Sequence, residues 1–201
     1  QIEIYGLPTA DFTYSPVCEG AVTQFTDNSI DDVQWSWDFG DNGATSNQEN
    51  PTHTFSSNGS FTTQLVVFNS VGCSDTTSYS ITVYPNPTAG FTVDTACFGY
   101  LNTFTDTSVD AIQWLYDFGD SSTDVSSDPI HTYPSDGIYI AQQTVTNTFG
   151  CQDSISLQVV VYPQPVAGFS NDTVCALDVV QFNDTTAGTP TTWNWDFGDG
   201  S

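Results

Sequence analysis

The segment Trp35–Asp41 occurs three times in this chain, and this repetition constrains the fold more than any other feature. It returns as Trp114–Asp120 and as Trp193–Asp199, at intervals of 79 residues. Flanking segments return in nearly the same register, so that Phe25-Thr26-Asp27 matches Phe104-Thr105-Asp106 and Gly72-Cys73 matches Gly150-Cys151. Self-similarity at a fixed period indicates repeated structural units. We therefore expect tandem copies of one small domain.

The repeat divides the chain into four predicted segments. They are the tail of a preceding repeat at 1–5, one repeat at 6–84, a second at 85–163, and the N-terminal half of a further repeat at 164–201. The tail is assigned because Ile2 and Ile4 align with Ile81 and Val83. A half-domain leaves a core face and strand edges uncovered. We therefore expect the sequence to be part of a longer polypeptide.

Apolar and polar residues alternate within each repeat, which is typical of antiparallel strands with one wet face. On one side of the motif strand lie Val33, Trp35, Trp37 and Phe39. Turn signals separate the strands, as at Ser57-Asn58-Gly59. About seven short strands in one repeat predict an immunoglobulin-like sandwich. The expected fold class is all-β, with immunoglobulin-like sandwiches arranged end to end.

The linkers between repeats are short and rich in proline. Residues 84–88 and 162–166 each contain two prolines. Proline restricts the backbone to extended conformations and makes a linker stiff. We expect these linkers to keep successive repeats in line.

The charge balance excludes several partners. The chain has 24 acidic residues, no Lys or Arg, and a formal net charge of −24. Nucleic acid is excluded because phosphate binding needs cations. The sequence contains no run of 18 apolar residues, so it predicts no membrane-spanning segment. The carboxylates indicate a solvated extracellular surface, or one that divalent cations screen. No cofactor is expected; Ca²⁺ near Asp31-Asp32 is an open alternative, although no EF-hand spacing is present.

The residues that recur resemble a known family. Trp193–Gly200 carries the pattern W-x-W-x-F-G-D-G and resembles the hallmark of the PKD domain, the polycystic-kidney-disease repeat. Residues 50–55, 59–69 and 72–76 resemble later segments of the same family. Tyr116 replaces the second Trp of the hallmark, and Asn42 and Ser121 replace its final Gly.

The resemblance implies an immunoglobulin-like sandwich used in extracellular adhesion, mechanical linkage or secreted enzymes. Tandem copies with these cysteines resemble bacterial surface adhesins and gliding-motility filaments. In such proteins, Asp-Ser/Thr-apolar tripeptides resemble O-glycosylation sites. The candidate acceptors here are Thr76, Thr95, Ser154, Thr173 and Thr185.

Five cysteines in a secreted type of chain predict disulfides, with one partner missing from the sequence. They are Cys18, Cys73, Cys97, Cys151 and Cys175. One alternative pairs Cys18 with Cys73 inside a repeat. However, the two corresponding turns of a sandwich lie at opposite ends, about 30 Å apart, whereas a disulfide needs Cα atoms within about 7 Å. The other alternative is a bridge between repeats, Cys18 with Cys151.

The acidic residues of the motif have a structural interpretation. An aspartate can accept backbone N–H bonds while the following glycine adopts positive φ. Repetition in every copy argues against a single carboxylate active site. The residues concerned are Asp38, Gly40, Asp117, Gly119, Asp196 and Gly198. His53 and His131 are expected to pack or donate hydrogen bonds, since neither has a second histidine nearby.

The tryptophans allow two interpretations, a core position or a sugar-binding platform. Their shared parity with the motif phenylalanines favours the core. They are Trp35, Trp37, Trp114, Trp193 and Trp195.

The sequence therefore predicts a non-catalytic structural segment of an extracellular or bacterial-surface filament, stalk or adhesin. Its expected partners are neighbouring repeats, with lateral self-association, glycans or surface receptors as further partners. The alternatives are a carbohydrate- or protein-binding module, and a spacer within a secreted enzyme.

Overall fold

The computed structural model describes residues 3, 5–15, 17–198 and 200. The alignment of Ile2 and Ile4 with a last strand lies outside these residues, as does Asp199 of the third motif. Every regular element in the described part of the chain is a β-strand. The all-β prediction is confirmed.

The first module consists of seven strands in two antiparallel sheets. One sheet has the order β1-β2-β5 and the other the order β4-β3-β6-β7. This is an immunoglobulin-like arrangement of two sheets in a Greek-key chain. The strands are β1 Phe12–Tyr14, β2 Val22–Asp27, β3 Gln34–Asp38, β4 Thr45–Ser46, β5 Thr52–Thr54, β6 Gly59–Phe68 and β7 Ser74–Val83.

The second module repeats this arrangement. Its sheets have the orders β13-β10-β8 and β12-β11-β14-β15-β9, where the short β9 pairs in parallel with the end of β15. The strands are β8 Phe91–Val93, β9 Ala96–Cys97, β10 Asn102–Asp106, β11 Gln113–Asp117, β12 Thr123–Asp124, β13 Ile130–His131, β14 Gly137–Thr146 and β15 Gln152–Tyr162. In the third segment β16 (Phe169–Asn171) pairs with β17 (Phe182–Asp184).

The core of the first module takes side chains from both sheets. Phe12 and Phe25 come from one sheet, and Trp37, Leu65 and Ile81 from the other. Trp37 is fully buried and meets the ring of Phe12 at 5.0 Å in an edge-on geometry. This is the interdigitation by which two sheets bury a common apolar layer.

The second module has an equivalent core with one polar exchange. Tyr116 stands at the position of Trp37, and Gln143 at the position of Leu65. Both are fully buried, and the Gln143 amide donates to the Tyr116 hydroxyl at 2.8 Å. Burial, followed by the charge of Asp106, raises the pKa of Tyr116 to about 12. The hydroxyl therefore stays neutral, and it donates to the Ser127 carbonyl.

The chain forms two compact units. The first contains Gln1–Thr88 together with Val109–Ile112 and Val145–Asp153, and the second contains Ala89–Ser108, Gln113–Thr144 and Ser154–Ser201. The loop between β14 and β15 thus belongs to the first unit. This assignment matters because the loop contains Cys151.

Candidate functional site at the cysteine bridge

The structure contains a disulfide between Cys18 and Cys151. The sulfurs are 1.98 Å apart, the Cα atoms are 5.7 Å apart, and the two residues are separated by 133 positions in sequence. Both lie in the first compact unit. The bond corresponds to the between-repeat alternative. Among the described residues Cys73, Cys97 and Cys175 are free thiols.

Strand β7 explains why Cys18 does not pair with Cys73. Cys18 forms a parallel bridge with Tyr84, which follows the end of β7, whereas Cys73 directly precedes its first residue. The ten residues of β7 span about 33 Å at about 3.3 Å per residue. The two cysteines of one module are therefore held at opposite ends of it.

An asparagine shapes the loop that presents Cys151. The side-chain oxygen of Asn147 accepts hydrogen bonds from the backbone N–H groups of Phe149 and Cys151, each at 3.0 Å. Its amide nitrogen donates to the carbonyl of Pro85 in the linker at 2.8 Å. One buried side chain thus orders the loop and ties it to the linker.

The linker is also held on the Cys18 side. Asn86 donates its side-chain amide to the Glu19 carbonyl at 2.9 Å, and the Glu19 N–H donates to the Tyr84 carbonyl at 2.9 Å. The Tyr84 ring stacks on the Phe149 ring with centroids 4.2 Å apart. The bridge, the stacked rings and these hydrogen bonds form one cluster, which we call the joint. The joint links two sequence repeats covalently through the Cys18–Cys151 bond.

The same loop occurs at the free thiol of the first module. Asn69 accepts from the backbone N–H groups of Val71 and Cys73 and donates to the Gly6 carbonyl at 2.9 Å. Asn69 and Asn147 were not singled out in the sequence analysis. The recurring pattern Asn-x-x-Gly-Cys is the signal that would have identified them.

The other half of the joint recurs beside Cys97. The Phe98 N–H donates to the Tyr162 carbonyl at 2.7 Å, and the Gln164 amide donates to the Phe98 carbonyl at 2.8 Å. These contacts repeat those of Glu19 with Tyr84 and Asn86. Each module therefore carries the backbone geometry of the joint at its own cysteines.

The motif aspartates form tight turns. Asp38, Asp117 and Asp196 each accept a hydrogen bond from the N–H of the glycine two residues on, at 2.8 to 2.9 Å. Those glycines, Gly40, Gly119 and Gly198, have φ of +77°, +81° and +75°. A Cβ on Gly40 would lie 2.4 Å from the Thr62 carbonyl oxygen. These carboxylates therefore accept hydrogen bonds from the backbone of the turn that follows them.

The second aspartate of each described motif pairs with a histidine. His53 Nε2 lies 2.7 Å from Asp41 Oδ2, and His131 Nε2 lies 2.8 Å from Asp120 Oδ2. Each imidazole stacks on a motif phenylalanine, 4.2 Å from Phe39 in the first module. Burial disfavours the charged form of Asp120, but hydrogen bonds from Ser122 and His131 outweigh it and hold its pKa below the usual value. The pairs are packed structural contacts.

The tryptophans differ in exposure between copies. Trp37 is fully buried, while Trp35 and Trp114 are half-buried and pack against their cores. Trp195 and Trp193 are exposed, at 36% and 54%. In the described part of the third segment no strand follows the motif, whereas β6 and β7 follow the motif strand β3 in the first module.

The five candidate glycosylation acceptors are all solvent-exposed: Thr76, Thr95, Ser154, Thr173 and Thr185. Two of them lie on last strands, Thr76 on β7 and Ser154 on β15. Exposure meets the steric requirement for modification.

The acidic residues near Asp31-Asp32 do not assemble a metal cluster in the described part of the chain, where no three His, Cys, Asp or Glu side chains converge. Burial, and then the neighbouring charge of Asp27, raises the pKa of Asp32. Within the described ranges, no helix has the length and apolar character needed to cross a membrane.

Comparison with known proteins identifies the fold of both modules. The PKD domain family model matches residues 6–83 and 86–161. The PKD1 domain of the Vibrio cholerae metalloprotease PrtV is 33% identical with a TM-score of 0.35, covering 39% of this chain and 98% of that chain. The PKD1 domain of Vibrio anguillarum Epp is 27% identical with a TM-score of 0.36, covering 40% and 96%.

The fibronectin(III)-like modules of Clostridium thermocellum CbhA match more of this chain, at lower sequence identity. They are 14% identical with a TM-score of 0.40, covering 78% of this chain and 95% of that chain. The two segments that match the family model make up well over half of the sequence. The chain belongs to the PKD domain family and contains tandem copies of that domain.

Proposed function

We propose that this chain is a structural, non-catalytic segment of an extracellular filament, stalk or adhesin built from tandem PKD modules. Its partners are neighbouring modules of the same type. The proposal places the protein on a bacterial surface, as in adhesins or gliding-motility filaments, with lateral self-association and O-glycosylation as further features.

The observation that carries this proposal is the Cys18–Cys151 bond between two sequence repeats. Disulfides persist mainly in oxidising compartments outside the cytosol. A bond inside one module would stabilise that module alone. A bond between two sequence repeats instead joins consecutive repeats covalently, which is useful where a chain of modules must stay connected.

The chemistry of the motif supports a non-catalytic role. Asp38 and Asp117 both accept hydrogen bonds from the following turn, and Asp41 and Asp120 both face a histidine that is stacked on a phenylalanine. The same groups are thus engaged in both modules. A catalytic pair would instead direct two carboxylates into a cleft.

Imaging of the native object tests the proposal. Antibodies against residues 6–163 should label intact cells, and electron micrographs should show the label along fibres or stalks. Cells that carry the label only after permeabilisation, or label confined to compact soluble particles, would contradict it. A preparation without the primary antibody is the control.

A binding module is the second candidate, and one loop favours it. Phe98 and Tyr100 are 40% and 63% exposed next to Cys97. The first module has Glu19 and Ala21 at these positions. Exposed aromatic rings are typical of carbohydrate and protein contacts.

Affinity electrophoresis in gels that contain a soluble polysaccharide tests this candidate. We expect retardation of the chain and normal mobility of the F98E/Y100A variant, which carries the first-module residues. Equal mobility of both proteins in every polysaccharide gel would contradict carbohydrate binding.

A further inference from the structure

The Cys18–Cys151 bond changes the covalent path between the two ends of the chain. Tension applied to a cross-linked chain passes along the shortest covalent route. From the N-terminus this route reaches Cys18, crosses to Cys151 and continues towards the C-terminus. The intervening backbone lies on a closed loop beside the route.

We propose that the bridge acts as a mechanical bypass that keeps residues 19–150 out of the load path. This inference rests on the proposed structural role and gives it a mechanical form. The excluded region contains β2 through β14, which is most of both modules. Among the described strands only β1, β15, β16 and β17 remain in the load path.

The bypass limits how far the chain can extend. The closed loop spans a sequence separation of 133 residues, and an extended chain reaches at most about 3.3–3.6 Å per residue. The bridge therefore withholds roughly 440–480 Å of extension. If load unfolds a module, the loop keeps its ends together, and refolding starts from a restricted chain.

The bypass depends on oxidation. Its formation takes two protons and two electrons from the thiols of Cys18 and Cys151, and a disulfide oxidant such as oxidised glutathione accepts them and becomes two thiols. An excess of a dithiol reverses the exchange: the dithiol becomes a cyclic disulfide and both cysteines return to thiols. Reduction thus restores the excluded region to the load path without a change of sequence.

Single-molecule force spectroscopy tests the bypass on the full chain held by its two ends. The total contour length at full extension should be roughly 440–480 Å longer in dithiol than under oxidising conditions. The variants Cys18→Ser and Cys151→Ser should show the longer value under both conditions. The variants Cys73→Ser and Cys97→Ser, whose cysteines are free thiols, are matched controls and should behave like the unmodified chain.

Equal contour lengths with and without dithiol would overturn the proposal, as would lengthening in the Cys73→Ser control. If a Cys18 or Cys151 variant fails to fold, the dithiol comparison on the unmodified chain gives the same readout. A chain that lacks the bypass and still labels surface fibres would refute this inference alone. A chain that shows the bypass but is not exposed on cells would refute the proposed function alone.

A cleavage experiment gives an independent readout of the same path. After cleavage at a protease site inserted between Ser57 and Asn58, the two fragments should migrate as one band on a denaturing gel without reducing agent. With reducing agent they should migrate as two bands. The same site inserted between Pro163 and Gln164 lies beyond Cys151, and its fragments should separate under both conditions. Separation of the Ser57/Asn58 fragments without reducing agent would contradict the bypass.

Discussion

Leu65 and Gln143 occupy equivalent positions in the two modules, and each suits the ring beside it. Leu65 belongs to the same apolar cluster as Trp37, whose indole N–H donates to the Gln48 carbonyl. Gln143 faces Tyr116 and also donates to Asp106 at 2.7 Å. The larger indole can satisfy its polar atom at the module edge, whereas the buried phenol takes a second partner from the adjacent strand.

The Gln143→Leu variant should lower the free energy of unfolding of the second module by about 1–3 kcal/mol, because Tyr116 loses a buried hydrogen bond and Asp106 loses a partly buried one. The double variant Y116W/Q143L restores the combination found in the first module and should recover much of the loss. Urea unfolding monitored by hydrogen exchange would show which module loses free energy of unfolding. A double variant as unstable as Q143L would contradict the coupling.

Asp41 and Asp120 differ at the oxygen Oδ1. The backbone N–H and the Oγ of Ser122 both donate to Asp120 Oδ1, whereas the equivalent residue in the first module is Ala44 and Asp41 Oδ1 is buried without a partner. We expect Ala44→Ser to raise the free energy of unfolding of the first module by about 0.5–1.5 kcal/mol. Ser122→Ala, the matched control, should lower that of the second module. Thermal unfolding of both variants checks the opposite signs.

Asp32 gives the first module a pH dependence that the second lacks, since the equivalent residue there is Ala111. Burial and the charge of Asp27 raise its pKa above the usual 3.8. Because the pKa is raised on folding, the stability that protonated Asp32 contributes is fully present below pH 3.8. It is lost as the pH rises through the folded-state pKa of Asp32.

The Asp32→Ala variant should therefore stabilise the first module at pH 7 and have little effect at pH 3. Urea unfolding curves at the two pH values provide the measurement. The Asp31→Ala variant is an unsuitable control because Asp31 has φ of 62°. Asp38→Asn, at an exposed turn position, serves better. Equal stabilisation by Asp32→Ala at both pH values would point to relief of strain instead of charge.

At the scale of elements, the turn after the motif strand depends on one glycine more than on its neighbour. Gly40 and Gly43 both have positive φ, but a Cβ on Gly40 would strike the Thr62 carbonyl whereas nothing lies within 4 Å of one on Gly43. Gly43→Ala should cost about 1–2 kcal/mol for the left-handed backbone alone. Gly40→Ala should cost clearly more, since β6 must also shift. Equal losses in thermal unfolding would mean that the close approach is unimportant.

Strand parity was sufficient to predict the fold and most of the core. It placed Trp37 and Phe39 inside, as observed. It failed for Val33, which is 51% exposed because β3 begins at the next residue and the alternation no longer applies. Parity describes a strand and gives no information on where pairing starts.

The joint could be anticipated only in part. Strand length excluded a bond between Cys18 and Cys73, which left the between-repeat pair as an alternative. The roles of Asn147 and Phe149 could not be predicted, because they depend on the conformation of a loop that parity does not describe. The partnership of Tyr116 with Gln143 was also missed, since a buried Gln is visible only after the strands are placed.

For the whole molecule, the net charge of −24 without any Lys or Arg makes repulsion the dominant long-range force. Self-repulsion destabilises a compact state, and salt weakens it by shortening the screening length from about 30 Å at 0.01 M to about 8 Å at 0.15 M. The unfolding temperature should therefore rise by several degrees between these salt concentrations. CaCl₂ and NaCl compared at equal ionic strength separate screening from binding: equal increases indicate screening, and a larger increase with Ca²⁺ would show that specific carboxylates bind it. A fall in the unfolding temperature with added NaCl would contradict the repulsion argument, because salt lowers stability by screening only where attractive charge pairs dominate.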